Sequence, residues 1–242
     1  MPLRRAQGAC PTHDAATPAR PPITTVLFDL DNTLYPASRN VMQIFDRRIT
    51  EYVQQLLGLD RESAARLREE YFHTYGTTLR GLQQYHQVDV EDYLQYVHDM
   101  EVQSFLALDA ELDRLLGLVR ARKVIFTNSP VEHSRRVLDA LGITHHFEQI
   151  FDIRFCQFQP KPAPEVYQLV LDALGVPGSQ AVFIEDTARN LVPARELGLS
   201  TILITPHSGV RASALADYIA PDILAAIQIV LRIEAQRQEG RD

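Results

Sequence analysis

The 242-residue sequence predicts an α/β protein: a doubly wound parallel sheet with a helical segment inserted into it. Three observations carry this reading. Short, continuously apolar runs recur along the chain, and most end in polar residues. Stretches of helical period separate them, and three of these stop at a glycine. The first two runs lie about ninety residues apart, far more than a strand-to-strand crossover needs.

Residues 23–30 (ITTVLFDL) read as a buried strand, being β-branched and aromatic and too short for a helix. Residues 123–128 (KVIFTN), 181–186 (AVFIED) and 200–205 (STILIT) read the same way, with 147–153 (FEQIFDI) a weaker fifth. Helices are expected over 132–141, 163–174 and 188–197. Each ends at Gly142, Gly175 or Gly198, where a left-handed residue closes a helix. A last helix over 221–236 carries Ile223, Ile227, Val230 and Leu231 on one stripe. Strands without polar alternation are covered on both faces, which means a parallel sheet between helices. The pattern over 38–106 is helical nearly throughout and is read as an inserted helical domain. Residues 23–37 and 107–242 then form the core domain. Residues 1–22 are rich in Ala, Pro and Arg and hold no apolar stretch, so they read as a disordered tail and not as a signal peptide.

Net charge is −7, against the basic face that a nucleic acid polymer requires. No apolar run approaches a membrane span, so no membrane partner is expected. Two cysteines, Cys10 and Cys156, fit a reduced cytoplasmic setting.

In an open parallel sheet, ligands bind beyond the carboxyl ends of the strands. The first strand presents Asp29 and Asp31 there, with Thr33 following; the second presents Thr127 and Asn128. Residues 181–186 end in Glu185 and Asp186, and "QPKPAPE" brings Lys161 to the start of a helix. Like charges a few ångströms apart raise one another's pKa unless a cation intervenes. Carboxylates aimed at one spot therefore call for a hard divalent ion, and all-oxygen ligation suits Mg²⁺ beside a substrate phosphate. Lys161 and the Thr127 hydroxyl supply donors for phosphate oxygens. Asp29 is placed as a carboxylate nucleophile forming an aspartyl-phosphate. Asp31 is placed to protonate the leaving oxygen and later to accept a proton from water. Neighbouring negative charge is expected to keep it protonated at neutral pH. Asn128 is read with Thr127 as phosphate-binding, and Asn190 with Thr33 as support beside the site. His133, His145 and His146 are read as surface groups.

"DLDNT", "TNS", the Lys161 of "PKP" and "IED", in this order and on these strand ends, resemble the four motifs of the haloacid dehalogenase-like hydrolase superfamily. The resemblance covers about residues 23–205. It implies a Rossmann-like core with a helical cap inserted after the first motif, and a phosphatase of small phosphomonoesters. It also implies metal ligation by Asp29, Asp186 and the backbone carbonyl of Asp31, with Glu185 behind them. "FDLDNTLYP", "YGTTLRGL" and "FTNSPVEHSRRVLDALGI" look like the pyrimidine 5′-nucleotidase subgroup, although Glu185 stands where that subgroup has a first aspartate. The substrate implied is a nucleoside 5′-monophosphate. A sugar-phosphate or phosphoglycolate-type phosphatase, a phosphomutase and a non-catalytic phosphate-binding module are the alternatives.

The cap must choose the substrate, because the four motifs see only phosphate. Two glycines bracket Arg80 in residues 76–82, which reads as a loop lowering Arg80 over the site. Tyr35 joins it as a group facing the substrate. Five tyrosines between Tyr71 and Tyr96 read as helix packing first and as stacking partners for a base second.

Overall fold

The computed structural model describes residues 21–206 and 216–239. Most of the expected tail, residues 1–20 with Cys10, lies outside the described residues.

Among the described residues, six strands form one parallel sheet: β1 (Thr25–Phe28), β2 (Arg122–Phe126), β3 (Gln149–Phe151), β4 (Ala181–Glu185), β5 (Ser200–Ile204) and β6 (Tyr218–Ala220). Their order is β3-β2-β1-β4-β5-β6. The chain winds outward from β1 in one direction, then returns to β1's other side at β4. This reversal is the switch point where such sheets form a crevice. Register sets what meets there: Phe28 is level with both Ile125 and Ile184. Asp29 is therefore level with Phe126 and Glu185, and Thr127 and Asp186 follow one residue further along the same edge. The sequence reading missed β6, whose three residues are too few to show a period.

Successive residues of each strand face opposite layers, as the pleat requires. Val26, Phe28, Ile125 and Ile184 pack into one apolar cluster. Leu27, Val124, Phe126 and Phe183 pack into the other. α5 (Ala110–Leu118), α6 (Val131–Leu141) and α9 (Ile223–Glu239) cover the first face. α7 (Pro164–Leu174) and α8 (Ala188–Glu196) cover the second. Burying such side chains on both faces contributes about 1.5–3 kcal/mol each.

The long connection after β1 holds four helices: α1 (Val41–Leu57), α2 (Arg61–Tyr75), α3 (Thr78–Tyr85) and α4 (Val90–His98). Short polar residues start them by accepting otherwise orphaned N–H groups: Asp60 from Ser63, Thr77 from Arg80, and Asp89 from Glu91 and Asp92. Arg154, beyond β3, ties this insertion to the core by bonding Glu91 of α4 and Glu132 of α6.

Residues 76–82 are not the expected loop. α3 begins at Thr78, and both glycines answer close approaches instead. Gly76 has φ of +89°, and a Cβ there would lie 2.9 Å from the Lys161 carbonyl oxygen. A Cβ on Gly81 would lie 2.2 Å from Cγ of Tyr71. Among the described residues, no helix is long and apolar enough to cross a membrane.

Candidate active site

The crevice opens into a cavity of about 430 Å³ between the strand ends and the inserted helices. Asp29 closes β1: its N–H still bonds the Ile184 carbonyl of β4 (2.9 Å), so its side chain is fixed by the sheet itself. The chain then turns through Asn32, whose φ of 60° is one that asparagine tolerates better than most residues. That turn brings Thr33 back, and its hydroxyl donates to Asp29 Oδ2 (2.9 Å).

Lys161 is 1% exposed, and its ammonium donates three bonds of 2.8 Å, to Asp29 Oδ1, Glu185 Oε2 and the Phe126 carbonyl. All three of its protons are thus satisfied, which is what makes a buried ammonium tolerable. Burial opposes the charge on Lys161, but Asp29 and Glu185 outweigh it and hold the pKa above its ordinary value. Glu185 is engaged at its other oxygen by the Thr187 N–H (3.1 Å). Carboxylate oxygens of Asp29, Glu185 and Asp186 lie within 4.8 Å of one another. One ammonium does not neutralise three carboxylates. Burial, then Glu185, push Asp29 up to about 7. Burial, then Glu185 and Asp29, push Asp186 up to about 9.

Asp31 has a different environment. It accepts from the Tyr35 hydroxyl (2.5 Å), the Ser129 hydroxyl (2.6 Å) and His133 Nε2 (2.8 Å). Burial alone would raise its pKa. The His133 charge and hydrogen bond, with Ser129 and Tyr35, overcome this and hold Asp31 well below the usual carboxylate range. The expectation that neighbouring negative charge keeps Asp31 protonated is therefore corrected, since three donors surround it. The reading of His133 as a surface group is corrected too, because its side chain is fully buried. His145 is exposed and His146 half-buried, both against Asp113 and away from this site.

The other sequence candidates divide. Thr127 lines the cavity; its hydroxyl accepts the Ser129 N–H (3.0 Å), which leaves its proton for an acceptor in the cavity. Asn128 instead clamps the backbone of Lys161, accepting from its N–H (2.8 Å) and donating to its carbonyl (3.2 Å). Its amide is occupied in placing the lysine rather than turned to a ligand. Asn190 lines the cavity with its Oδ1 buried and unpartnered, as does Asn32. Tyr35 is buried against Asp31 rather than facing the cavity. Arg80 does not line the cavity. Of the five tyrosines only Tyr93 does, while Tyr71, Tyr75 and Tyr85 pack ring against ring.

Sequence reasoning missed four contributors. Ser129 and His133 sit four residues apart around the start of α6, a spacing that puts both on one side and could have flagged them. Arg68, paired with Asp46, and Arg189, whose guanidinium lies 4.5 Å from the Phe72 ring centre, also line the cavity. Arg189 donates to the carbonyls of His73 (3.3 Å) and Gly76 (3.4 Å) at the end of α2. Neither arginine lies in a motif that would single it out.

Fold and site together define an α/β protein with a carboxylate–lysine cluster at the switch point of its sheet, under an inserted helical lid. The chain belongs to the haloacid dehalogenase-like hydrolases, whose family model matches residues 23–198. It is similar to phosphate metabolism protein 8 of Saccharomyces cerevisiae, 29% identical over 194 residues, 73% of this chain and 60% of the yeast protein. It thus spans less than two thirds of that relative's length. Enolase-phosphatase E1 of Methylococcus capsulatus is 26% identical over 184 residues, 74% of this chain and 67% of that one. Among solved structures, CbbY from Rhodobacter sphaeroides in complex with phosphate superposes with a TM-score of 0.60 at 22% identity, covering 84% of this chain and 95% of that one.

Proposed function

We propose that this protein is a Mg²⁺-dependent phosphatase that hydrolyses a small phosphomonoester, a nucleoside 5′-monophosphate, through an aspartyl-phosphate on Asp29. The observation that carries the reading is the Lys161 ammonium, buried and bonded to both Asp29 and Glu185 in a cavity that Thr127 and Asp186 also line. Such a centre suits a phosphoryl group, whose charge it meets with fixed donors. Similarity to an enolase-phosphatase and to CbbY in complex with phosphate supports the same chemistry.

A divalent cation fits the residues present. The donor set is all oxygen, and burial holds protons on Asp29 and Asp186 that a cation would displace. The orphaned acceptors Asn32 Oδ1 and Asn190 Oδ1 call for donors, which the water shell of a hydrated ion provides. Asp29, Asp186 and the Asp31 carbonyl would hold it, with Glu185 fixed behind them by Lys161. When bound it supplies charge to offset the phosphate oxygens.

In the first step an Asp29 carboxylate oxygen forms the new bond to phosphorus as the ester oxygen departs. Lys161 aims Asp29, and Thr33 fixes its second oxygen. The departing oxygen takes a proton from Asp31. That carboxyl is ionised in the resting site; the negative charge of an entering phosphate raises its pKa, and the proton it takes up comes from solvent as the substrate binds. In the second step Asp31 takes a proton from water, which attacks phosphorus and frees Asp29. The ionised resting form of Asp31 is the form this step uses.

Residues 38–106 act, in this reading, as the cap that selects the leaving group. Phe45, Phe72, Tyr93 and Leu94 offer apolar walls for a planar base, and the Arg68–Asp46 pair offers polar groups for its edge. The buried free thiol of Cys156 accords with the reduced, cytoplasmic setting we assign. A phosphate-release screen with Mg²⁺ across nucleotides, sugar phosphates and phosphoglycolate tests the proposal. Fast turnover of UMP or CMP is expected; slow turnover of both beside a fast sugar phosphate rejects the nucleotide reading.

A further inference from the structure

A second cluster of ligand atoms lies remote from the cavity. The turn at Thr144–His146 leads into the amino end of β3, whereas the site above gathers at the carboxyl ends of the strands. Two consecutive side chains of that turn reach the same atom of α5: His146 Nε2 lies 2.8 Å and His145 Nε2 3.1 Å from Asp113 Oδ1. All three ligand atoms lie within 4.8 Å of one another.

Local structure holds this arrangement. The His146 N–H bonds the Ile143 carbonyl (3.1 Å) and the Phe147 N–H bonds the Thr144 carbonyl (3.2 Å), so the turn is closed before either imidazole is placed. Asp113 sits in the first turn of α5, and its N–H bonds Asp109 (2.9 Å). His146 then lies along the helix over Gly117, where a Cβ would come only to 3.7 Å from its Cε1. The His146 side chain is 12% exposed and that of His145 63%, so the cluster has a fixed inner ligand and an accessible outer one.

We propose that Asp113, His145 and His146 form a binding site for a borderline divalent transition metal of the zinc class, separate from the proposed all-oxygen Mg²⁺ site. One imidazole N–H suffices to pair a carboxylate oxygen, and ion pairing does not explain why a second ring, its centre 4.0 Å from the first and tilted 38° to it, is turned to the same oxygen. Without a metal each Nε2 facing Asp113 donates its N–H to the carboxylate, and a cation that displaces those protons would take the same two nitrogens and the same carboxylate as ligands. A tetrahedral zinc ion with bonds of about 2.0–2.1 Å needs donors roughly 3.3–3.4 Å apart, a few tenths of an ångström wider than the spacings to Asp113. Outward movement of exposed side chains supplies that difference. Two imidazoles and one carboxylate select zinc, cobalt or nickel over magnesium, which takes oxygen ligands. The bound ion would tie α5 to the turn before β3 and stabilise the fold by mass action.

The test uses the full chain, stripped with a chelator and then held in saturating Mg²⁺ so that the carboxylate site is filled. Zn²⁺ is titrated by calorimetry and Co²⁺ by visible absorption, with thermal melts at each metal level. One equivalent of Zn²⁺, Co²⁺ d–d bands and a rise in Tm are expected. D113N, which keeps the side chain's shape, and H146A should each weaken Zn²⁺ binding by at least about tenfold. The H145A/H146A double variant should lose the Co²⁺ bands while phosphatase turnover in Mg²⁺ is unchanged. No Zn²⁺ uptake in Mg²⁺, or equal affinity in wild type, D113N and H146A, overturns the proposal.

Discussion

His133 Nε2 lies 2.8 Å from Asp31 Oδ1, and the imidazole that makes this contact is fully sealed from solvent. Phe45 and His98 pack against the ring with centroids 4.9 and 5.3 Å away, so the histidine is held on both its bond and its face. His98 itself donates Nδ1–H to the Leu94 carbonyl (2.9 Å), and burial pushes its pKa down to about 3. His98 is thus neutral at physiological pH, which spares Asp31 a second cation nearby.

His133→Leu removes the main group that opposes burial at Asp31, so the carboxyl should titrate at higher pH than in the wild type. The proposed second step needs Asp31 ionised. Its rate rises as pH rises through that pKa, so the acidic limb should move upward in the variant. Loss of about tenfold or more at neutral pH is expected, with partial recovery in alkaline buffer. Single-turnover release of phosphate across pH reads this out. A uniform loss at every pH would make His133 a packing residue only.

Asp29→Asn should lower turnover by at least about 10³-fold, because an amide oxygen does not replace a carboxylate nucleophile. Far-UV circular dichroism should be unchanged, since Lys161 keeps Glu185 and the Phe126 carbonyl as partners. In the proposed mechanism Asp31→Asn keeps the nucleophile and removes both the acid and the base, so with radioactive p-nitrophenyl phosphate, whose leaving group needs no proton, label should remain on the protein and be released by hydroxylamine. Label retained on Asp29→Asn would point to another nucleophile.

What the sequence made legible follows from range. The apolar runs and glycine stops are local, and they located five of the six described strands and four of the five core helices to within a few residues; α5 was missed. Asp29, Thr127 and Asp186 were legible because each stands at a strand end, where the sheet's register gathers them, and Lys161 because it stands just before a helix. His133 and Ser129 were not, because their value depends on where Asp31 points. Gly81 was misread because its partner, Tyr71, lies ten residues away on another helix. The Asn128 clamp on Lys161 was not foreseen because a side-chain amide serves a backbone clamp as readily as a phosphate, and spacing does not distinguish the two.

Gly81→Ala tests the corrected reading of α3. A Cβ there would meet the Tyr71 ring at 2.2 Å, so the ring or the helix must shift. Overpacking of this kind costs about 1–3 kcal/mol, more than the gain in helix propensity returns. Urea denaturation should show the loss, and pairing the substitution with Tyr71→Leu should recover part of it. Equal stability in Gly81→Ala and wild type would contradict this packing.

Lys161→Met isolates the ammonium from the chain that carries it. Asp29 and Glu185 would remain buried beside one another without a cation, and breaking a buried pair on one side typically costs about 3–5 kcal/mol. The variant should therefore lose both stability and activity, and lowering the pH should restore stability as the two carboxyls take up protons. Adding Glu185→Gln should recover stability but not turnover. A double variant no more stable than Lys161→Met would show that the two charges do not interact.

The raised carboxyls also fix the sign of the protein's response to pH and to magnesium. Asp29 and Asp186, pushed up to about 7 and about 9 chiefly by burial and then by neighbouring carboxylates, hold protons in the metal-free fold that the unfolded chain releases near pH 4. The folded state thus binds more protons over that window, so metal-free stability is full below about pH 4 and declines as pH rises toward 9. A cation takes the place of those protons. Magnesium should therefore bind more tightly as pH rises through the same window, and binding should release protons to the buffer. Thermal melts in chelator should show Tm falling between about pH 6 and pH 8.5. Excess Mg²⁺ should shrink that fall, and calorimetry in buffers of different ionisation enthalpy should count the protons lost. A Tm in chelator that stays flat, with a magnesium gain equal at both ends, would mean that Asp29 and Asp186 are already ionised without the metal.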